Sequence, residues 1–200
     1  METQVKNIPV ITVSIVAVNV IIWLVQEMVG STYDSSFMIV CGASYAPYIL
    51  ENGEWWRLLT AAFLHFGAEH LFNNMFILVL TGMRLEKFLG KLPYLMLYLL
   101  SAIAGSALSF IKELEAEEAV ACAGASGAVF GVLGGLIAAA IFNRGKVGDL
   151  RLRGLLIMLA LNLYNGFSTV GVDNWGHIGG FAGGFILCFV FCLVGIYRND

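Results

Sequence analysis

Two residues of this chain are of the types that serve as a nucleophile and its general base. Ser126 lies in Gly124-Ala125-Ser126-Gly127 and His177 lies in Gly176-His177-Ile178-Gly179-Gly180, each at the start of a long apolar stretch. Because glycine lets membrane helices approach closely, the two side chains could reach hydrogen-bond distance. The pairing predicts attack of a serine hydroxyl on a carbonyl carbon, as in peptide hydrolysis.

Three further groups could stabilise the oxyanion that forms in such an attack. His70 and Asn74 are four residues apart, so they share one face of a helix. Polar groups inside a membrane are costly and usually functional. The backbone N–H of Ser126 is free because it lies in the first turn of a helix. Asn73 points to a different face and is not expected to share this role, and His65 is interpreted as a structural hydrogen-bonding residue.

The composition is that of a polytopic membrane protein. The 200 residues are 59% hydrophobic and 12% charged, with a mean hydropathy of +0.83, whereas soluble domains are about 45–50% apolar and about 25% charged. No extended basic segment indicates nucleic acid, and the four cysteines follow no metal-ligand spacing. A disulfide between Cys41 and Cys122 is one alternative that the sequence leaves open.

Six apolar stretches approach the roughly 20 residues that a spanning helix needs. The sequence therefore predicts an all-α membrane protein, a six-helix bundle in one domain covering residues 1–200. A long, aromatic-rich segment (30–69) between the first two stretches is predicted to be partly helical and to lie at the outer membrane interface. The predicted spans are 8–28, 70–89, 92–111, 126–142, 152–170 and 177–197.

The basic residues predict the orientation of these spans, because lysine and arginine favour the cytoplasmic side. With both termini in the cytoplasm, Ser126 and His177 start helices that run inward from the outer side. Only Arg57 and Lys112 then lie outside. The other nine of the eleven basic residues lie inside: Lys6, Arg84, Lys87, Lys91, Arg144, Lys146, Arg151, Arg153 and Arg198.

Glycines recur every four residues on two of the predicted spans. Such faces allow close helix contact, which would bring the serine to the histidine. The repeats are Gly127, Gly131 and Gly135 on the fourth span, and Gly176, Gly180 and Gly184 on the sixth.

Taken together, five short blocks resemble the signature blocks of the rhomboid intramembrane serine proteases, in the same order and spacing and over nearly the whole chain. The blocks are Trp56-Arg57, Phe63-Leu64-His65, His70-Leu71-Phe72-Asn73-Asn74-Met75, Gly124-Ala125-Ser126-Gly127 and Gly176-His177-Ile178-Gly179-Gly180.

The resemblance implies a catalytic dyad of Ser126 and His177 with no required acidic third member. It implies that His70 and Asn74 stabilise the oxyanion, and that the loop with Trp56 and Arg57 is half-submerged in the membrane. The fifth span and the loop after it would form a lateral gate and cap. Several members of the family carry a tyrosine one turn after the serine, where this chain has Phe130, which keeps the stacking surface. Glu86 resembles a structural acid at the inner end of the second span, and Gly124, Gly127 and Gly180 support the site.

The implied function is an intramembrane serine endopeptidase that cleaves transmembrane helices through an acyl-enzyme. Its partners would be the lipid bilayer and transmembrane protein substrates, with no nucleic acid, metal or organic cofactor, in a bacterial inner membrane. Two alternatives are a catalytically inactive rhomboid-like protein that escorts membrane helices and a small transporter. The chain has neither the His-Glu-x-x-His of a membrane metalloprotease nor paired aspartates within its predicted spans.

Overall fold

The computed structural model describes residues 9–117 and 119–198. Lys6 and the predicted start of the first span at residue 8 lie outside these ranges. Within them the chain forms helices and one short hairpin, in the order α1 (Val10–Val29), α2 (Ser35–Val40), α3 (Ala46–Glu51), α4 (Arg57–Thr60), a 3-10 turn (Ala61–Phe63), α5 (Gly67–Leu89), α6 (Lys91–Ala116), α7 (Ser126–Phe142), β1 (Lys146–Val147), β2 (Leu150–Arg151), α8 (Leu152–Ser168) and α9 (Asn174–Leu193).

Each of the six predicted spans falls on one of the longer helices. Among the described residues, three helices are long and apolar enough by themselves to cross a membrane: α1, α6 and α9. The apolar helix α7 is shorter, at 17 residues. The helical membrane fold is therefore confirmed, whereas a count of six spans stays a prediction.

Two helices begin earlier than the apolar pattern predicted. α9 starts at Asn174 because the side chain of Asp173 caps it, accepting a hydrogen bond from the backbone N–H of Gly176 at 2.8 Å. α5 starts at Gly67, whose φ of +78° suits glycine. As a result His177 and His70 are each the fourth residue of their helix, at the end of its first turn.

α7 lies at the centre of the molecule and packs most closely against α9. Residues 128–140 of α7 are all buried. A methyl group at Gly180 would run into the carbonyl of Gly127, and one at Gly184 would run into the carbonyl of Gly131. The glycines of the two helices therefore face each other, and the backbones touch where side chains would normally keep them apart.

A buried carboxylate joins α5 to the start of α1. Glu86 is 3% exposed and accepts hydrogen bonds from the backbone N–H groups of Ile11 (2.9 Å) and Thr12 (2.8 Å) and from the Thr12 hydroxyl (2.8 Å). The carboxylate satisfies N–H groups that the first turn of α1 leaves unpaired, at the end of the helix where a negative charge is favourable.

The segment between α1 and α5 is built around a buried arginine. Arg57 is 3% exposed, and its Nε donates to Glu54 Oε2 at 2.6 Å. Its Nη1 donates to the carbonyls of Ile39 (2.7 Å) and Ala43 (2.9 Å). The guanidinium also lies 4.7 Å from the Trp56 ring centroid. The segment is therefore an ordered unit of short helices rather than a structureless loop.

The hairpin between α7 and α8 departs from the all-α prediction. β1 and β2 pair antiparallel, with Lys146 opposite Arg151. Asp149 in its turn receives two hydrogen bonds from Arg84 of α5, at 2.9 and 2.8 Å. These bonds lower the pKa of Asp149 to about 2. Such two-residue strands have no hydrophobic alternation to reveal them in a sequence.

The disulfide that the sequence left open is not present, since all four cysteines, within the described part of the chain, are free. The Cys122 thiol instead donates to Glu113 Oε1 at 3.0 Å. Burial and the neighbouring Glu113 carboxylate raise the pKa of Cys122, so this thiol is a poor nucleophile.

Candidate active site

A cavity of about 1070 Å³ brings the four predicted side chains to one place. Ser126 of α7, His177 of α9, and His70 and Asn74 of α5 all line its wall. α8 contributes part of the same wall through residues that include Asn165. Helices α5, α7, α8 and α9 thus place polar side chains on the wall of one cavity.

Ser126 is the first residue of α7, and the loop before it is held by two hydrogen bonds. The backbone N–H of Gly124 donates to the carbonyl of Ala61 at 2.9 Å. The backbone N–H of Ala125 donates to His65 Nε2 at 3.3 Å. The serine therefore sits at a helix N-terminus, where the backbone N–H groups of the first turn have no partner within the helix.

Gly124 allows the His70 ring to approach this loop. Its φ of +152° lies in a region that side chains rarely adopt, and a Cβ at this position would lie 2.7 Å from His70 Cε1. The same position is 3.6 Å from Ser126 Oγ. His70 and the serine hydroxyl therefore lie on the same patch of surface, with only the glycine between them.

His65 contacts the same loop and the His70 ring. Its side chain is fully buried, and its ring meets that of His70 edge-on, with 5.2 Å between the ring centroids. Burial, with the neighbouring His70, lowers the pKa of His65 to about 3. A neutral imidazole can accept the hydrogen bond from Ala125, whereas an imidazolium cannot. These contacts fit the structural role that the sequence analysis gave to His65.

His177 is held by stacking. Its ring lies 4.2 Å from that of Phe130, at an interplanar angle of 11°. Its side chain is 7% exposed, and its Nδ1 has no hydrogen-bond partner among the described residues. Within that part of the chain no hydrogen bond joins Ser126 Oγ to the imidazole. Catalytic hydrogen bonds are often long before substrate binds.

Asn74 lies on the buried side of α5, and its Nδ2 donates to the carbonyl of His70 at 3.1 Å. An amide nitrogen carries two hydrogens, so one remains for a ligand. Asn73 also lines the cavity, although it is exposed where Asn74 is buried. The sequence analysis did not predict that Asn73 would reach this wall.

Charged residues contribute to the cavity wall. Glu69, Glu113 and Asp173 line it, together with the cation Lys112. Lys112 donates to Glu115 at 2.6 Å and lies 4.8 Å from the centroid of the Trp175 ring. No cluster of three or more His, Cys, Asp or Glu side chains that could hold a metal occurs among the described residues.

Two cavity residues on α8 went unnoticed in the sequence. Asn162 and Asn165 are three residues apart and both line the cavity, next to the buried Gly166. Two amide residues at helical spacing in an apolar stretch were the signal that could have identified them.

These features define a helical membrane protein with a serine and a histidine on the wall of one cavity. The Rhomboid domain family model matches residues 52–194. The chain is 36% identical over 177 residues to the Rhomboid protease GluP of Bacillus subtilis (strain 168), which covers 88% of this chain and 34% of that protein. It is 42% identical over 146 residues to RHOMBOID-like protein 4 of Arabidopsis thaliana, covering 71% of this chain and 35% of that protein.

A third relative matches over nearly its full length. YdcA of Bacillus subtilis (strain 168) is 30% identical over 189 residues, which is 94% of this chain and 92% of that protein. The chain thus spans about a third of the length of the first two relatives and almost all of the third. The chain belongs to the rhomboid family.

Proposed function

We propose that this protein is an intramembrane serine endopeptidase that cleaves transmembrane helices of other membrane proteins. The observation that supports this proposal most strongly is that Ser126 and His177 line one cavity with His70 and Asn74. The rhomboid proteases among the relatives agree with it. An inactive helix-binding protein would have no need of all four side chains in one chamber.

In the proposed reaction His177 takes the proton of Ser126 Oγ while that oxygen attacks the scissile carbonyl carbon. The carbonyl oxygen becomes an oxyanion, and His70, Asn74 and the backbone N–H of Ser126 donate hydrogen bonds to it. When the tetrahedral intermediate collapses, the C–N bond breaks and His177 gives its proton to the leaving amine. Water, deprotonated by His177, then hydrolyses the acyl-enzyme and regenerates the serine hydroxyl.

The ring of Phe130 takes over one task that a carboxylate performs in a triad. In a triad the acid keeps the imidazole in a productive orientation. Here the parallel stack at 4.2 Å restricts rotation of the His177 ring, and the unpaired Nδ1 supports a dyad rather than a triad.

The orientation of the protein is part of the proposal. Both termini lie in the cytoplasm, and the cavity opens toward the outer side of a bacterial cell membrane. The placement of the basic residues supports it, since nine of the eleven fall on one side of the predicted spans. A substrate helix would enter from the bilayer and be cut near its outer end.

The proposal is tested by cleavage of a panel of transmembrane substrates in liposomes, with the products mapped by mass. Wild-type protein should cut at least one substrate at a defined bond, and Ser126→Ala and His177→Ala should not. Ser14→Ala, at an exposed position of α1 that does not line the cavity, should cut as wild type. Full cleavage by Ser126→Ala, or no cleavage of any substrate by wild type, would show that the proposed function is wrong.

A further inference from the structure

One face of α5 lines the cavity over two turns: His70, Asn73, Asn74 and Ile77 all contribute to the wall. Two of these residues already have roles in the proposed reaction, but Asn73 does not. Its side chain is exposed and makes no hydrogen bond with any described residue. Asn73 therefore presents an amide with unused hydrogen-bonding groups to the cavity, and polar groups at membrane depth are usually functional.

The α8 wall of the cavity presents the same chemistry. Asn162 and Asn165 are three residues apart and therefore lie on one face of the helix. Asn162 Nδ2 donates to the carbonyl of Met158 at 2.8 Å within its own helix. Asn165 is exposed and makes no hydrogen bond within the described residues. Amides with free hydrogen-bonding groups thus line the cavity from two helices.

A side-chain amide has the hydrogen-bonding groups of a peptide bond, with donors on nitrogen and an acceptor on oxygen. A helix that is to be cut must unwind locally, because in a helix each carbonyl is enclosed by its i+4 hydrogen bond. Every residue that unwinds exposes a backbone N–H and C=O. In a membrane such groups must find partners on the protein or in the water of its cavity, since lipid offers none.

Resting on the proposed function, we propose that the side-chain amides of Asn73 and Asn165 bind the main chain of the unwound substrate segment beside the scissile bond. They replace the helical hydrogen bonds that the substrate loses and so favour substrates whose outer end unwinds. The ligand is the extended backbone itself, so the amides recognise unwinding rather than a particular side chain.

A different role for the same residues is to conduct water to the acyl-enzyme. The two roles act at different steps. Backbone binding changes the formation of the acyl-enzyme and depends on the substrate N–H groups, whereas water conduction changes only its hydrolysis.

The test uses the full chain in liposomes, with Asn73→Leu and Asn165→Leu, which keep the shape of the side chain and remove its hydrogen bonds. Asn73→Gln and Asn165→Gln restore an amide. Matched controls are Phe72→Leu and Tyr164→Phe, neighbours that are exposed and do not line the cavity. Each variant is assayed with one transmembrane substrate that the wild type cleaves. It is also assayed with semisynthetic versions of this substrate in which a single peptide bond beside the scissile bond is replaced by an ester. An ester lacks the N–H donor of a peptide bond.

We expect each leucine variant to lower kcat/KM about fivefold, the usual worth of one net hydrogen bond. The glutamine variants should recover part of the loss, and both controls should match wild type. At one flanking position the ester should lower the kcat/KM of the wild type about fivefold. It should leave the kcat/KM of one leucine variant unchanged, because that variant already lacks the amide that binds the substrate N–H. The rate of Ser126 labelling by a small fluorophosphonate, which has no peptide chain, should be the same in wild type and all variants.

The inference would be overturned if the leucine variants cleaved the substrate with the kcat/KM of the wild type. It would also be overturned if each ester lowered kcat/KM equally in the wild type and in both leucine variants. Accumulation of acyl-enzyme with unchanged ester penalties would assign the amides to water conduction instead. Loss of fluorophosphonate labelling in the leucine variants would show that the amides only maintain the site. Absence of labelling in wild type would instead refute the proposed function, so the two failures are distinguishable.

Discussion

At the scale of single residues, the orientation of one imidazole decides whether the site can work. His177 has no acidic partner at Nδ1 among the described residues, and its ring is restrained by Phe130 on the adjacent helix. A misplacement of about 1 Å can cost about a hundredfold in rate. Stacking is therefore expected to matter for catalysis and not only for packing.

Replacing Phe130 tests this directly. We expect Phe130→Ala to lower kcat about 10- to 100-fold, because the freed ring no longer points at the serine, and Phe130→Tyr to remain active because the aromatic face is kept. Phe142→Ala, near the other end of α7, serves as the control. The measurement is kcat on a transmembrane substrate; equal rates for Phe130→Ala and wild type would contradict the role of the stack.

His65 gives a prediction about pH and stability. The pKa of His65 is about 3 in the folded protein and about 6.5 in an unfolded chain. Between these values the unfolded state takes up a proton that the folded state does not. This stabilising contribution is therefore complete above about pH 6.5 and is lost as the pH falls toward 3.

We expect the thermal stability in detergent to decline from pH 7 to pH 4 less steeply in His65→Gln than in wild type, since glutamine can accept from Ala125 but does not titrate. His65→Gln should be less stable than wild type at pH 7. Parallel pH curves for the two proteins would show that His65 does not contribute in this way.

Cleavage activity should also fall at acid pH, because His177 must be neutral to act as a base.

The residues of the proposed chemistry were predicted from their types and positions. Ser126 and His177 are a nucleophile and a base at glycine-flanked starts of apolar stretches, and His70 and Asn74 are polar residues on one face of an apolar stretch. All four line the cavity. Asn162 and Asn165, as amide residues in an apolar stretch, could have been selected in the same way, whereas the cavity position of Asn73 could not be predicted. Which face of α5 and α8 meets the cavity depends on how each helix is rotated, and rotation is set by packing against other helices.

At the scale of elements, the contact between α7 and α9 brings the two halves of the site together. Ser126 begins α7 and His177 ends the first turn of α9, so the distance between these helices sets the distance between the side chains. Gly180 lies against the carbonyl of Gly127, with no room for a methyl group. The sequence predicted this contact, because the four-residue glycine spacing on both helices has a direct geometric meaning.

We expect Gly180→Ala to push α7 and α9 apart and to lower the free energy of unfolding by about 1–3 kcal/mol through overpacking. Cleavage activity should fall even at temperatures where the variant stays folded, because the distance between Ser126 and His177 increases. Gly154→Ala in α8 is the matched control, because nothing lies within 4 Å of the added methyl group. Thermal unfolding and substrate cleavage are measured on both variants. Wild-type activity in Gly180→Ala would be incompatible with the close contact described for α7 and α9.

The ends of the elements were harder to predict than their existence. α6 continues to Ala116, five residues past the predicted end, because polar residues can extend a helix out of the membrane without changing its apolar core. The hairpin at residues 146–151 is stabilised by Arg84 from a distant helix. Neither feature is encoded in a local pattern.

At the scale of the whole molecule, the proposed function requires the cavity to open on the side of the membrane opposite the basic residues. The helical membrane fold alone does not determine this orientation. It depends on the distribution of charge between the two ends of the bundle, where Arg84, Lys146 and Arg151 lie near the β1–β2 hairpin end.

Orientation can be measured with a membrane-impermeant maleimide on intact cells. Glu51→Cys, in the segment between α1 and α5, should be labelled from outside, whereas Lys146→Cys in β1 should be labelled only after the membrane is opened. The unsubstituted protein gives the background from its four native cysteines. Labelling of Lys146→Cys in intact cells would reverse the proposed orientation.

The most direct test of the whole account is to locate the nucleophile chemically. Protein in detergent is treated with a fluorophosphonate, digested and mapped by mass spectrometry, with His177→Ala treated in parallel. The account predicts a single phosphonyl adduct on Ser126 in wild type and none on this residue in His177→Ala. An adduct on another serine, or equal labelling of Ser126 without the histidine, would contradict the claim that the two residues act as nucleophile and base.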